Sequence, residues 1–311
     1  MDFELSGEAH ELATLTRDLA GSGRPLWPAL ADAGVLTAAL PKQSGGEGFG
    51  LLEQSAILTE LGRHASPVPY LTSITTAAST LAHFDPSFTY QNATVLALAL
   101  ADAAPSQAPL VHGIVPSPTA VLVPSSSGLF LLGPGLSIEP EHVEGGTGTG
   151  ILRSPLPTAP HIAGPTAAGW MRARLTVGAA AYQLGVVERA LEMTADYART
   201  RVQFGKPIGS FQAVSQRLAD AYIDVEALRV ALRQAVSHLE AGQSATAEVA
   251  TAGFWAAEAG HRVLHTAVHV HGGVGIDLDY PLHRYFLAAK YHEFLLGGAT
   301  AQLLALSEVL T

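Results

Sequence analysis

Tyr197-Ala198-Arg199-Thr200-Arg201-Val202-Gln203-Phe204-Gly205-Lys206-Pro207-Ile208-Gly209-Ser210-Phe211-Gln212 joins two long helical patterns. Pro207 and Gly209 make it a tight connector: proline fixes φ and removes a donor, and glycine permits a sharp change of direction. Arg201 and Phe204 therefore project from a helix end beside a loop. An arginine there can pair with a phosphate, and a phenylalanine can cover an aromatic base. Ser210 reads as the N-cap of the next helix. On its residues alone the stretch is a capped helical hairpin, with or without a ligand at its turn.

Downstream, Phe211, Val214, Leu218, Tyr222, Val225, Leu228, Leu232, Val236 and Leu239 step by threes and fours. That is one apolar stripe sustained for about eight turns. Long helices with one stripe each suit an antiparallel bundle. Four are expected, over roughly 166–200, 210–241, 245–270 and 281–309.

Upstream the texture changes twice. Leu12, Leu15 and Leu19 recur at helical spacing, and Pro25 and Pro28 mark a break. Leu40–Gly50 is dense in glycine and must be a loop. A second helix carries Leu52, Ile57 and Leu61 and ends near Gly62; another spans roughly 70–83. Beyond 92, the short apolar runs Val95–Leu100, Ala120–Val123 and Gly128–Leu132 are separated by Pro, Ser and Gly, and read as buried strands. Gly145–Gly150 neither clearly follows a strand nor opens a helix, so it reads as a flexible hairpin rather than a phosphate loop. The organisation is mainly α: an N-terminal helical domain (1–90), a reduced middle β domain (91–163) and a C-terminal four-helix bundle (164–311).

Composition narrows the function. Of 311 residues, 27 are acidic and 17 basic, a net charge of −10 that lacks the basic footprint a nucleic-acid partner requires. The absence of cysteine excludes disulfides, thiolate metal sites and thiol catalysis. Mean hydropathy is +0.25, yet no run of about 18 apolar residues spans a membrane. A chain so apolar often buries extra surface against other subunits. Met1-Asp2-Phe3-Glu4 has neither the basic nor the apolar region of a signal peptide, so a cytoplasmic location is expected.

A second segment, His269-Val270-His271-Gly272-Gly273-Val274-Gly275-Ile276-Asp277-Leu278-Asp279-Tyr280-Pro281-Leu282-His283-Arg284, follows the third long helix. Gly272-Gly273 removes side chains and lets backbone N–H groups approach an anion, although such a pair is also an ordinary helix cap. His261, His265 and His269 stand four apart with Glu258 a turn earlier; the spacing suits a metal, but no coherent ligand set follows and none is expected. Trp170, Tyr182 and Trp255 fall on apolar stripes and read as core or interface.

Together these motifs resemble the acyl-CoA dehydrogenase family. Residues 201–212 match R-x-x-F-G-x-x-I-x-x-F-Q, and 272–284 match G-G-x-G…D/E-Y-P-x-x-R. Leu40–Gly48 and Glu60-Leu61-Gly62-Arg63 match L-P-x-x-x-G-G-x-G and E-L-G-R. The resemblance covers both helical regions. It implies the family fold and FAD, whose isoalloxazine lies against one subunit's β domain while its adenosine pyrophosphate reaches a neighbour's bundle. Arg201, Phe204 and Gln212 match positions holding the pyrophosphate and adenine side, and Gly272 and Gly273 match backbone that approaches the same group. His269 stands where the family usually has glutamine. Thr300 and Gln302 match the end of Y-E-G-T-x-Q and join the cofactor-binding set.

The family chemistry removes a proton α to a thioester and passes a hydride to the flavin. It needs a carboxylate base and donors for the thioester oxygen. The base is usually the glutamate of Y-E-G-T-x-Q. Anchoring on Thr300 and Gln302 puts Gly298 there; counting forward from Lys290 puts Leu296 there. The family's other base position, on the first bundle helix, falls at Leu175 beside Thr176. None can take a proton. Glu293 is the nearest acid and a weak candidate, with a structural role as the plainer reading. Residues 90–163 also lack the flavin-facing T-E-P-x-A-G-S-D, and the β domain is short for the usual seven or eight strands. Leu287-Ala288-Ala289-Lys290 replaces R-D-A-K, which implies a changed or more buried packing environment.

This combination resembles the non-base-bearing subunit of actinobacterial heteromeric (α2β2) acyl-CoA dehydrogenases, which act mainly on CoA thioesters of steroid side chains. It implies a homologous partner carrying the catalytic glutamate, an acyl-CoA substrate and electron-transfer flavoprotein as acceptor, with the isolated chain inactive. Two alternatives stand beside it: a self-sufficient homo-oligomer with Glu293 as base, and a non-enzymatic stabilising scaffold.

Overall fold

The computed structural model describes residues 6–91, 94–100, 108–133 and 135–310, so the Met1-Asp2-Phe3-Glu4 start lies outside the described residues. The chain divides into two compact units. One contains Asp2–Leu58 and Pro67–Gly178, the other Thr59–Ser66 and Ala179–Thr311.

In the first unit, α1 (Gly7–Gly21) begins at Ser6, whose hydroxyl accepts the Ala9 N–H at 3.0 Å. Helix α2 (Leu26–Asp32) starts directly after Pro25. Pro28 lies in its first turn, where a missing N–H costs little. The two prolines thus open a helix as well as ending the pattern before it. After α3 (Val35–Ala38) the glycine-dense loop runs to α4 (Leu51–Arg63). Glu53 secures that start: its carboxylate accepts the Gly50 N–H at 2.7 Å and the Ser6 hydroxyl at 2.9 Å. The expected helix near 70–83 is a π-helix (Tyr70–Ala78), buried at every residue, running into α5 (Ser79–Phe84).

The strands are β1 (Leu96–Ala99), β2 (Leu110–His112), β3 (Ala120–Ser125), β4 (Gly128–Leu132), β5 (Ile138–Glu141), β6 (Thr149–Leu152) and β7 (Ile162–Ala163). They form one sheet in the order β5-β6-β2-β1-β3-β4-β7, antiparallel except between β1 and β3. The β region is small, as expected, but seven strands among the described residues correct the expectation of fewer. Pro140 in β5 and Gly150 in β6 are poor strand formers and hid those strands from the apolar pattern. Gly145–Gly150 is accordingly a β5–β6 turn that passes into β6. Ala97, Val111, Val121, Val123, Phe130 and Leu152 build a buried core on the sheet.

The bundle helices are α6 (Thr166–Thr200, its first turns in the first unit), α7 (Gln212–Glu240), α8 (Thr246–His271), α9 (Leu282–Leu295) and α10 (Gly298–Leu310). The fourth expected helix is broken in two at Leu296-Gly297, where Gly297 and Gly298 have φ of 73° and 76°. Gln302 Nε2 donates to the Leu296 carbonyl at 2.6 Å and caps the break. Within the second unit, the end of α4 crosses α6 through two glycines. A Cβ on Gly62 would fall 2.0 Å from the Tyr182 carbonyl, and one on Gly185 would fall 1.9 Å from the Thr59 carbonyl. Arg63 then reaches Glu188 and Glu192 at 2.8 Å each, and Glu188 also pairs with Arg229. The E-L-G-R motif is therefore a helix-crossing device. No helix among the described residues is long and apolar enough to cross a membrane.

Candidate functional site

The connector after α6 is a two-residue β-hairpin. β8 (Val202–Gln203) pairs with β9 (Lys206–Pro207), Val202 facing Pro207 and Gln203 facing Lys206. Phe204 and Gly205 form its turn with φ of 52° and 77°. Positive φ at both central residues is the hairpin turn that Asn-Gly favours, and a bulky residue there is an outlier. The Phe204 ring is 92% exposed, with only an edge contact to Phe211 at 6.1 Å. Lys206 Nζ lies 4.4 Å over the Phe211 ring. A large apolar side chain held in an unfavourable backbone region and open to water points to a recognition role. Arg201 closes α6, its N–H bonded to the Tyr197 carbonyl at 2.8 Å. Its exposed guanidinium has no ion-pair partner among the described residues. Ser210 is not the N-cap of α7: its hydroxyl donates to the Pro207 carbonyl at 2.7 Å, and Phe211 takes the cap position with no side-chain bond. Gln212 opens α7, exposed.

The glycine pair ends α8. Gly272 has φ 63° and ψ −139°, a conformation reserved for glycine, and its N–H donates to the Val268 and His269 carbonyls. That donor is spent closing the helix, so it is not free for an anion. Apart from the adjoining backbone, no atom of the described residues lies within 4 Å of a Cβ built on Gly272 or Gly273. What the turn offers is bare, approachable backbone.

The structure brings this turn and the hairpin together through a residue the sequence reading passes over. His271 is buried, and its ring stacks on Tyr197 at 4.3 Å, one turn before Arg201. Its Nδ1 meets the Ala267 carbonyl at 2.8 Å and its Nε2 meets the Tyr280 hydroxyl at 3.1 Å. Burial lowers its pKa and favours neutral imidazole. The only advance signal was the aromatic pattern Tyr197, His271 and Tyr280 within the two motifs.

His269 is exposed on the adjoining face of α8. With His261, His265, Arg217, Asp220 and Asp224 it lines a hollow of about 600 Å³. The His261 and His265 rings stand 4.4 Å apart. Asp224 is buried against Arg262 at 3.1 Å, and desolvation raises its pKa. Among the described residues no group of His, Asp and Glu is arranged to hold a metal.

The base positions lie elsewhere. Leu296 is buried, Gly298 opens α10, and Leu175 is buried on α6. Glu293 is half-buried and clamped: Lys290 Nζ donates to it at 2.7 Å and to His261 Nδ1 at 2.9 Å. Through its contact with His261, Glu293 lies eleven residues down α8 from Gly272, about 16 Å at a helical rise of 1.5 Å. Thr300 is exposed and Gln302 is committed to the α9–α10 break, so this elbow is a separate cluster from the Arg201–Gly273 surface. Part of the stretch searched for the flavin-facing motif, residues 101–107, lies outside the described residues.

The chain matches the family model for the acyl-CoA dehydrogenase C-terminal domain over residues 167–311 and that for the N-terminal domain over 8–84. It is 45% identical to acyl-CoA dehydrogenase FadE27 of Mycobacterium tuberculosis, over 90% of this chain and 86% of the relative. A chain of the ChsE4-ChsE5 complex from Mycobacterium tuberculosis superposes with a TM-score of 0.90 at 41% identity, covering 100% of this chain and 99% of that one. A chain of a Tcur3481-Tcur3483 steroid ACAD variant superposes at 0.87 with 32% identity, covering 99% and 98%.

Proposed function

Since this chain belongs to the acyl-CoA dehydrogenase family, we propose that it is the subunit of a FAD-dependent heteromeric enzyme that completes the FAD site of a homologous catalytic partner. One observation carries the reading. The surface of Arg201, Phe204 and Gly272–Gly273 is formed and open to solvent, while Leu296, Gly298 and Leu175 fill the base positions with groups that take no proton.

The donor set suits one half of the cofactor. Arg201 brings a guanidinium for a pyrophosphate, Phe204 brings an open ring for adenine, and the glycine turn admits phosphates without a Cβ in the way. Gln212 and His269 add polar groups at the margins, and Thr300 and Gln302 belong to the set only by motif. When bound, the flavin supplies the hydride acceptor for α,β-dehydrogenation of an acyl-CoA thioester. This chain's task is binding and orientation; the partner supplies the carboxylate base. Likeness to a steroid ACAD at 32% identity supports a steroid-derived CoA thioester as substrate; electron-transfer flavoprotein is the acceptor that the family resemblance implies. Glu293 is a structural ion-pair residue in this reading.

Expression with and without the homologous partner tests it. A yellow complex with one FAD per heterodimer is expected only when both chains are present, and a yellow, active preparation of this chain alone overturns the proposal. Arg201→Ala should weaken FAD retention by the complex about tenfold to a hundredfold, the scale of a charge-assisted contact. Unchanged retention would instead make the chain a scaffold. Glu293→Gln should leave the complex's activity within about twofold.

A further inference from the structure

We infer that His271 is the positioning residue of the FAD-binding surface: it ties the Arg201 hairpin, the Gly272–Gly273 turn and the Tyr280 loop into one rigid edge. The inference rests on the function proposed above. It concerns a residue that touches no cofactor and acts through its neighbours.

Three contacts make the case. A carbonyl oxygen only accepts, so the Ala267 contact at 2.8 Å fixes the proton on Nδ1. In the neutral ring Nε2 then carries the lone pair, and the Tyr280 hydroxyl donates to it at 3.1 Å. The ring face lies on Tyr197, one turn from Arg201, with rings 4.3 Å apart and inclined by 25°. The next residue in the chain is Gly272. Each segment of the proposed edge is thus one peptide, one helical turn or one hydrogen bond from a single imidazole. The short helix Gly272–Ile276 closes over it: a Cβ on Gly275 would stand 3.1 Å from the His271 Cβ. Burial favours the neutral tautomer that this arrangement requires.

The ring has two separable functions, and substitutions can divide them. His271→Phe keeps an aromatic face for Tyr197 but offers no acceptor to Tyr280. His271→Gln keeps an acceptor but loses the stack. Tyr280→Phe removes the donor from the other side and serves if the first variant folds poorly. FAD affinity would be measured by refilling the flavin-stripped complex, alongside thermal unfolding of the chain and its association with the partner. His271→Phe and Tyr280→Phe should each weaken FAD binding about tenfold, the scale of one buried hydrogen bond, with association intact. The double variant should be no worse than either single, and His271→Gln should recover affinity to within about threefold. Wild-type affinity in His271→Phe or Tyr280→Phe overturns the inference, and so does FAD loss that merely tracks melting temperature. Arg201→Ala separates the two claims. If it releases FAD and the His271 and Tyr280 variants do not, only the positioning role fails; if it retains FAD, the proposed function itself fails.

Discussion

At Phe204 the chain accepts a local cost. Its φ of 52° occupies the turn position that Asn fills most comfortably, and its ring is 92% exposed. Phe204→Asn should therefore stabilise the isolated chain by about 0.5–1 kcal/mol, read as a rise in denaturation midpoint, while reducing FAD retention by the complex. A loss of both stability and retention would mean that the ring is structural. The exposed placement of Arg201 and Phe204 at a helix end was legible, because Pro207 and Gly209 mark the connector there. His271 was not, because its meaning depends on Tyr197, which belongs to another helix and reaches it only in the folded bundle. At Gly272 the plainer of the two sequence readings holds: its N–H caps the helix and is not a free donor.

At the scale of elements, the crossing of α4 and α6 is a joint with no room for a side chain. The blocked atoms are backbone carbonyls, which cannot swing aside as a side-chain tip can. Gly185→Ala should cost about 3 kcal/mol in urea unfolding, with the loss arising from overpacking rather than from the Arg63 ion pairs. Arg63→Gln should cost less, about 1–2 kcal/mol, since Glu192 is exposed and the more buried Glu188 keeps its pairing with Arg229. Periodicity read the helices well. The stripe on α7 is buried at Val225, Leu228, Leu232 and Val236. It fails at Tyr222, which is 59% exposed, because a stripe cannot say where neighbouring helices stop covering it. Short strands interrupted by Pro140 and Gly150 gave no pattern, and a π-helix has no distinct composition to announce it.

Over the whole molecule, two buried histidines set an acid limit. Burial lowers both His112 and His292 from 6.5 to about 4. Below pH 6.5 the unfolded chain takes up protons that the folded chain refuses until about pH 4. Stability should then be full above pH 6.5 and fall as pH drops, by about 2 kcal/mol per histidine at pH 5. His292→Phe should flatten the slope of urea midpoint against pH between 7 and 5; an unchanged slope would remove that residue as a cause. The hairpin adds a consequence of another kind. Arg199 and Arg201 lead into an exposed connector, and Phe204 advertises it to water. Exposed segments of this sort are where proteases nick a chain. Trypsin should cleave the solitary chain after Arg199 or Arg201, and the cut should be suppressed once the partner and FAD cover the turn. An orphan copy of this chain would then carry its own degradation mark.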